Sequence, residues 1–511
     1  MKNKTRKILS SCTALAMSAA LLLTGCGSDS GDAANDTQDT TASADSTDGD
    51  SGELEPVTLR WLLRIPEPED ADMVLEKVNE ILQEKINATL EIEWIDAVAY
   101  PEKTKLRISS GDPFDIMFTS SGYSYFDYAS MGAFVPLDDL LEEYAPETYA
   151  LIPESYWEAL RVDGQIYGIP NYQITARQTC MSFRKELVDK YGFDISTIKT
   201  VEDMEPFLAT LKENEDVQYI TGGPALTYFD TMNYMRLEGI GADGSPGAIE
   251  MDGDDYTVIN QFEHENFVQL CKTLADFENK GYINKDLALV EDQTELIKNG
   301  EILCSLLANW KPGAEAENLA RYGYEQVNVM VTEPYVNTSS VLGTLQAISR
   351  TSENPERALM FLDLVNSDPE LYNLLVYGIE GEHYTKVEDN RIELIPDSGY
   401  STGVPWMIGN TFNGYLQGNT EETVYEETQE LNETAEVSRI MGFNFNPEKV
   451  STEIAQCATV TEKYLTGLQY GMYDDVDATL EQMNEELRAA GMDNIIAEKQ
   501  AQLDEWVAAN K

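Results

Sequence analysis

Segments with strand-like and helix-like periodicity alternate between residues 57 and 118, and this alternation is what most constrains the fold. Residues 57–62 are rich in β-branched and large apolar side chains, whereas Val74, Val78 and Leu82 recur at the spacing of one helical face. The next predicted elements are a strand at 88–95, a helix at 101–110 and a strand at 114–118. This order predicts right-handed βαβ crossovers and a mainly parallel sheet.

A site is expected at one edge of that sheet. Ligands of such sheets bind at the carboxyl ends of the strands. The loops Arg64–Asp70 and Thr119–Tyr125 follow two of these strands. Ser120, Ser121 and Tyr123, in the second loop, are therefore candidate ligand-binding residues.

The first 25 residues have the features of an export signal. Four basic residues among the first seven precede an apolar run from about Ile8 to Leu23, which is too short to span a bilayer permanently. The run ends in Leu23-Thr24-Gly25-Cys26, which resembles a bacterial lipobox. The resemblance implies that cleavage before Cys26 is followed by acylation of its thiol, which would tether the protein to the outer face of the cell membrane.

Residues 26–56 are predicted to be a disordered spacer. The stretch after Cys26 has nine acidic residues, no lysine, arginine or aromatic residue, and otherwise mostly Ser, Thr, Gly and Ala; the acids are Asp29, Asp32, Asp36, Asp39, Asp45, Asp48, Asp50, Glu53 and Glu55. Such a composition cannot bury enough apolar surface to offset its chain entropy. We expect a flexible linker that holds a globular body off the membrane.

Composition limits what the remaining body can be. About 455 residues are enough for two domains with ample core. The formal net charge of −56 at pH 7 disfavours nucleic acid as a partner. Cysteines in the body stand far apart and among apolar neighbours, so they are predicted to be buried and free rather than metal ligands or disulfide partners; they are Cys180, Cys271, Cys304 and Cys457.

A succession of short motifs runs from residue 132 to residue 358. They are GAFVPLDDLL at 132–141, DGQIYGIP at 163–170, FRKEL at 183–187, NGEI at 299–302, LQAIS at 345–349 and NPERA at 354–358. Their order resembles that of family 1 extracellular solute-binding proteins of ABC importers. The stretch 367–384 resembles a lipoprotein subgroup of that family with an uncharacterised C-terminal domain.

The resemblance implies an α/β fold of the periplasmic-binding-protein type II, in which two lobes are joined by a hinge. Each lobe would be a mainly parallel sheet flanked by helices. By analogy, the amino-terminal lobe is expected at 57–170 and 342–400, and the carboxyl-terminal lobe at 171–341 and 401–511.

The resemblance also implies that the chain captures a solute, expected to be an oligosaccharide, and hands it to the membrane subunits of an ABC permease. The protein is expected to be a monomer with no cofactor, no metal and no catalytic activity. Two alternatives remain open: an exported glycan-degrading enzyme and a peptide-binding receptor of the same fold.

The sequence offers few complete catalytic or metal-binding patterns. The GxGxxG spacing at 239–244 runs into Ser245-Pro246-Gly247, which predicts a loop rather than a helix. The chain has two histidines, His264 and His383, and His264-Glu265 lacks a second histidine at the metalloprotease spacing. Asp252, Asp254 and Asp255 do not meet the EF-hand spacing. The many acids do not allow a glycosidase pair to be nominated from sequence.

Aromatic and amide residues are the best candidates for ligand contacts. Sugar clefts use flat apolar rings against pyranose C–H faces, with amides and carboxylates for the hydroxyls. Trp61 lies inside a strand and is predicted to be core. Candidates in loops that the resemblance places near the cleft are Trp310, Trp406, Asn410, Asn171, Tyr172, Tyr228 and Asp230.

Overall fold

A computed structural model describes residues 54–222, 228–290 and 292–511 of the chain, with the side chains of 228–230 left out. The described part has two separate hydrophobic cores, each built on its own sheet. We call the parts around these cores the first lobe and the second lobe. The predicted two-lobed α/β fold is thereby confirmed.

The first lobe contains a five-stranded sheet. In spatial order its strands are Ala88–Trp94, Val57–Leu63, Ile116–Thr119, Leu345–Ile348 and Ile169–Pro170. Leu345–Ile348 is antiparallel to both of its neighbours, so four strands run one way and this one runs against them. The mainly parallel sheet predicted from the strand–helix alternation is present, and the reversed strand is the one that comes from the later half of the chain.

Helices of the first lobe pack their apolar faces on this sheet. In Ala71–Ile86 the buried residues are Ala71, Val74, Val78, Leu82 and Ile86, the face that the sequence spacing predicts. The other helices with residues in this core or packed against it are Tyr100–Ser110, Tyr125–Ser130, Leu141–Tyr144, Glu154–Ala159, Thr338–Val341, Pro355–Ser367, Pro369–Tyr377 and Val424–Thr434, and Pro146–Leu151 packs on Pro355–Ser367.

The second lobe contains a four-stranded sheet. In spatial order its strands are Gln326–Met330, Gln178–Arg184, Ile302–Trp310 and Tyr219–Thr221. Gln178–Arg184 is antiparallel to both neighbours, and it is the strand that enters from the first lobe. Each lobe therefore has one reversed strand, placed where the chain has crossed from the other lobe.

The helices of the second lobe include three at the carboxyl end of the chain, separated at Gly471 and Gly491 as predicted. Gly471 has a φ of 65°, and a Cβ there would collide with the backbone of Leu274, so the turn requires glycine. The helices are Lys185–Tyr191, Glu205–Asn214, Tyr228–Tyr234, Glu265–Asn279, Thr294–Lys298, Ala314–Tyr322, Ser451–Gln469, Val476–Ala489 and Met492–Asn510.

Small sheets complete the fold. Tyr335–Val336 pairs with Glu436–Val437 where the chain passes between the lobes. The remaining pairs are Arg161–Val162 with Gln165–Ile166, Leu237–Gly239 with Ala248–Glu250, and Tyr384–Glu388 with Arg391–Leu394 and then Leu416–Gln417.

Packing assigns several residues differently from the sequence prediction. Tyr172, Ala176, Val336 and Val341 were expected in the carboxyl-terminal lobe but belong to the first core. Residues from 401 onward were expected in the carboxyl-terminal lobe, yet Met407, Ile408, Leu431 and Ala435 belong to the first core. The second core takes up the chain again at Ile440. The segment 401–435 thus packs with the first lobe, because its apolar residues cover that lobe's sheet and helices rather than continuing along the chain into the second.

The four cysteines of the body are buried, as predicted, and none of them forms a disulfide in the part of the chain that the structure describes. Burial raises the pKa of the Cys271 thiol to about 12. Trp61 is fully buried in the first core, also as predicted. No helix among the described residues is long and apolar enough to cross a membrane.

Candidate functional site

The carboxyl ends of two strands meet at one edge of the first sheet. Leu345 pairs with both Thr119 and Pro170, so the loops after these two residues lie side by side. The Ser121 amide donates to the Leu342 carbonyl at 2.8 Å and holds the first loop against the segment that crosses between the lobes. This edge is the one at which the sequence predicts a site.

The second sheet presents a corresponding edge. Trp310, the last residue of its strand, pairs with Gln178, the first residue of the strand that enters from the first lobe. The Gln178 side-chain amide donates to the Thr332 carbonyl at 2.9 Å. Trp310 packs against the first core although its strand belongs to the second sheet, which places it at the boundary of the lobes.

Several cavities among the described residues are lined by both lobes, and two of them are candidates for the ligand site. The first, which we call the hinge cavity, has a volume of about 570 Å³. Ser121 and Phe126 of the first lobe line it together with Met232, Ile240 and Phe443 of the second.

The second, which we call the aromatic cavity, has a volume of about 780 Å³. Trp406, Phe412 and Tyr415 of the first lobe line it, and Lys311 and Glu317 approach from the second. Rings, amides and charged groups from both lobes therefore surround a space large enough for several sugar units.

Trp406 and Trp310 are both half-buried, which leaves part of each ring accessible. Trp406 lies in a short 3-10 helix, Pro405–Met407, with its ring 6.4 Å from that of Phe118. The Trp310 indole nitrogen donates to Glu315 at 3.0 Å, so this carboxylate fixes the ring.

Asn171 and Asn410 are buried and bonded within the protein. The Asn171 side chain donates to the Trp406 carbonyl at 3.1 Å. Asn410 donates to the Asn366 carbonyl at 3.0 Å and accepts from the Phe412 amide, as a cap of the turn that follows. These contacts assign both amides to holding the loop that carries Trp406, and contact with a ligand stays a prediction.

Tyr172 and Ser120 are also buried. The Tyr172 ring packs edge to face on Phe412 at 4.9 Å, and burial raises the pKa of its hydroxyl. Ser120 caps the turn 121–123 through its carbonyl, which accepts from the amides of Tyr123 and Tyr125. Tyr172 and Ser120 therefore hold neighbouring residues of the site in place.

Ser121 is exposed in the hinge cavity, and Tyr123 is half-buried beside Arg64. The Arg64 guanidinium lies 4.8 Å from the Tyr123 ring centroid. It makes no ion pair with any residue that the structure describes, and its buried Nε has no partner there. Arg64 opens the loop that sequence places at the site, but its lack of a charge partner could be seen only in the folded chain.

The side chains of three predicted residues are outside what the structure describes. Tyr228 and Asp230 begin the helix Tyr228–Tyr234, and their side chains are outside the described part. Cys26 lies among residues 1–53, which are also outside it.

Glu238 is a buried carboxylate that sequence reasoning did not single out. It lines the hinge cavity and accepts from Tyr335 at 2.7 Å and from Ser438 at 2.6 Å. Burial raises the pKa of the Glu238 carboxyl. Its two partners lie on the two segments that cross between the lobes, so Glu238 joins the second lobe to the hinge.

The motifs that suggested other chemistry have structural roles. Gly239 ends a strand and residues 240–247 form a loop rather than the start of a helix, as predicted, and no group of metal-binding side chains is found among the described residues. His383 is fully buried; its Nδ1 accepts from the Ile379 amide at 2.9 Å, and its Nε2 lies 3.4 Å from Asp70.

Comparison with known sequences gives two family matches. Residues 73–370 match the bacterial extracellular solute-binding protein family, and residues 439–508 match a domain of unknown function, DUF3502. A carbohydrate ABC transporter substrate-binding protein of Streptococcus pneumoniae is 30% identical, over 87% of this chain and 90% of the relative. The polygalacturonan/rhamnogalacturonan-binding protein YtcQ of Bacillus subtilis is 22% identical over 77% and 81%.

Solved structures of one protein, the N-glycan transport solute-binding protein NgtS of Streptococcus pneumoniae, resemble this fold. One superposes with a TM-score of 0.78 at 27% identity, covering 89% of this chain and 100% of that one. Its complexes with Man1GlcNAc and Man5GlcNAc superpose with TM-scores of 0.65 and 0.64 at 26% and 28% identity, over 88% and 89% of this chain and all of theirs.

Proposed function

We propose, since this chain belongs to the family of bacterial extracellular solute-binding proteins, that it captures an oligosaccharide outside the cell and delivers it to the membrane subunits of an ABC importer. The observation that carries this proposal is the aromatic cavity, which both lobes line and which contains Trp406. A ligand held there would contact both lobes and so favour the state in which they are closed.

A difference between superpositions supports closure by hinge motion. This chain superposes with a TM-score of 0.78 on one NgtS structure but 0.65 and 0.64 on the two glycan complexes, although the covered length is nearly the same. A lower score at equal coverage is expected when the lobes are oriented differently. We propose that the described conformation is one from which the lobes close on a glycan.

The chemistry at the lobe boundary suits sugar hydroxyls and ring faces. Trp310, Trp406 and Tyr123 are half-buried, so part of each ring remains accessible to a sugar. Arg64, which has no charge partner among the described residues, can donate to hydroxyl oxygens. We propose these four residues, with Ser121, as ligand contacts.

A glycan-degrading enzyme would need a pair of carboxylates facing each other across the cleft. Glu238 is committed to Tyr335 and Ser438, and its partners lie in the hinge rather than across an open cleft. The Streptococcus pneumoniae relatives named above are substrate-binding proteins. We therefore propose binding without turnover.

The proposed function predicts that oligosaccharides, and not peptides, raise the melting temperature of the purified protein, because a ligand of the folded state stabilises it by mass action. The measurement is a thermal shift against Man5GlcNAc, fructo-oligosaccharides, oligogalacturonates and a peptide mixture. Mass spectrometry of each mixture tests for turnover. Stabilisation by peptides alone, or cleavage of a bound glycan faster than the spontaneous reaction, would contradict the proposal.

We further propose that Cys26 carries the membrane anchor. Its support is the lipobox-like segment followed by the acidic stretch up to residue 56. Replacing Cys26 by serine is expected to release the protein into the medium or to leave an uncleaved precursor, since serine offers no thiol to acylate. Fractionation and the mass of the mature protein check this, with Cys180→Ser as a control that keeps the anchor; unchanged retention and processing of the Cys26 variant would refute it.

A further inference from the structure

The aromatic cavity adjoins a larger one that belongs to the first lobe alone. This lateral cavity has a volume of about 1030 Å³, and Phe412, Tyr415 and Tyr425 line both cavities. We propose that the lateral cavity is an extension site, which binds sugar units projecting from the lobe boundary and selects neutral oligosaccharides of several units. The inference rests on the proposed function and adds the length and charge of the ligand.

The shared aromatic residues form a fixed apolar ridge between the two cavities. The Tyr415 ring is stacked on Tyr377 at 6.3 Å and lies 5.7 Å from Tyr384, while Tyr425 packs edge to face on Phe412 at 5.9 Å. The three ridge residues are half-buried, so neighbouring side chains hold the rings while part of each remains accessible. Rings that are already ordered lose little entropy when a sugar packs on them.

Polar groups without a protein partner surround the ridge. The Asn390 and Gln429 side chains and the Tyr425 hydroxyl line the lateral cavity and make no hydrogen bond with any described residue. An amide and a phenol both donate and accept, which matches the hydroxyls of a sugar. Other amides of the wall are already used: Asn373, for example, donates to the Asn413 carbonyl at 2.7 Å.

The charges of the wall favour neutral sugars. Glu370, Glu380, Glu422 and Glu426 line the cavity, and of its lysines Lys77 is paired with Glu80 at 2.8 Å. Lys386 lies 4.9 Å from the Tyr415 ring centroid and 3.8 Å from Glu380. The excess of carboxylates would repel the acidic groups of a uronate chain.

The test compares a short and a long glycan of one series, Man1GlcNAc and Man5GlcNAc, by titration calorimetry of the full mature protein. We expect the wild type to bind Man5GlcNAc about tenfold more tightly, since each hydrogen bond gained in the extension adds a few-fold in affinity. The double variant Asn390→Ala, Gln429→Ala should keep the affinity for Man1GlcNAc and lose most of this length dependence. Gln83→Ala, an exposed amide that lines neither cavity, is the matched control.

Each outcome decides the inference. An unchanged length dependence in the double variant, or equal losses for both glycans, overturns the extension site while leaving the proposed function intact. If no oligosaccharide binds the wild type, the proposed function fails and the extension site with it. Oligogalacturonates of similar length that bind as tightly as Man5GlcNAc overturn the selection for neutral sugars.

Discussion

Trp61→Ala is expected to lower the free energy of unfolding by about 3–5 kcal/mol, the range for truncating a buried tryptophan. Trp61 is fully buried and packs edge to face on Phe361 at 5.4 Å. Its indole nitrogen donates to the Gln346 side chain at 2.9 Å. Alanine would leave a cavity and an unpaired amide oxygen in the middle of the first lobe, and the second effect adds its own desolvation cost.

Trp61→Phe is the matched variant, because it keeps most of the buried volume and removes only the hydrogen bond. It should cost about 1–3 kcal/mol, the penalty for one unsatisfied buried group. Urea unfolding of both variants checks the two values. Equal stability of Trp61→Ala and the wild type would show that the first lobe does not depend on this residue.

Gln346 connects Trp61 to the candidate site, so truncating Trp61 should also disturb the loop that carries Trp406. The amide nitrogen of the Gln346 side chain donates to the Met407 carbonyl at 2.8 Å, and Met407 follows Trp406 in the chain. Asn171, which donates to the Trp406 carbonyl, contacts the same amide at 3.4 Å. A chain of three side chains thus connects the centre of the first sheet to the loop that presents Trp406.

The first sheet could be predicted in part because its early strands and helices carry local signals. The apolar spacing of residues 71–86 and the β-branched strand at 57–63 are properties of neighbouring residues, and the structure confirms both. The insertion of Leu345–Ile348 between Ile116–Thr119 and Ile169–Pro170 is different. It joins residues more than a hundred positions apart, and no local periodicity encodes that pairing.

The packing of segment 401–435 also could not be predicted from local sequence patterns. Its place was predicted from chain order, whereas Met407 and Leu431 are held by apolar contacts with distant parts of the first lobe. Residue type alone also could not separate ligand contacts from supports. Asn171 and Asn410 are residue types that bind sugar hydroxyls, but in this structure both side-chain amides donate to backbone carbonyls.

Trp310→Ala and Trp406→Ala are each expected to weaken oligosaccharide binding by roughly 30-fold or more, about 2 kcal/mol, which is typical of a central aromatic contact. Both rings are half-buried at the lobe boundary, one on each side of it, so each can stack on a sugar while its other surface packs on the first core. Losing either ring should therefore cost much affinity and only part of the stability that a fully buried tryptophan would cost.

The measurement pairs the melting temperature of the ligand-free protein with the affinity for the tightest oligosaccharide of the panel. Trp94→Ala is the matched control, because Trp94 is also half-buried against the first core but ends the outermost strand of the first sheet, whereas Trp406 lines the aromatic cavity and Trp310 pairs with the strand that enters from the first lobe. It should lower stability about as much as the two site variants and leave affinity unchanged. If Trp310→Ala and Trp406→Ala behave like this control, the two rings are packing residues and the ligand lies elsewhere along the lobe boundary.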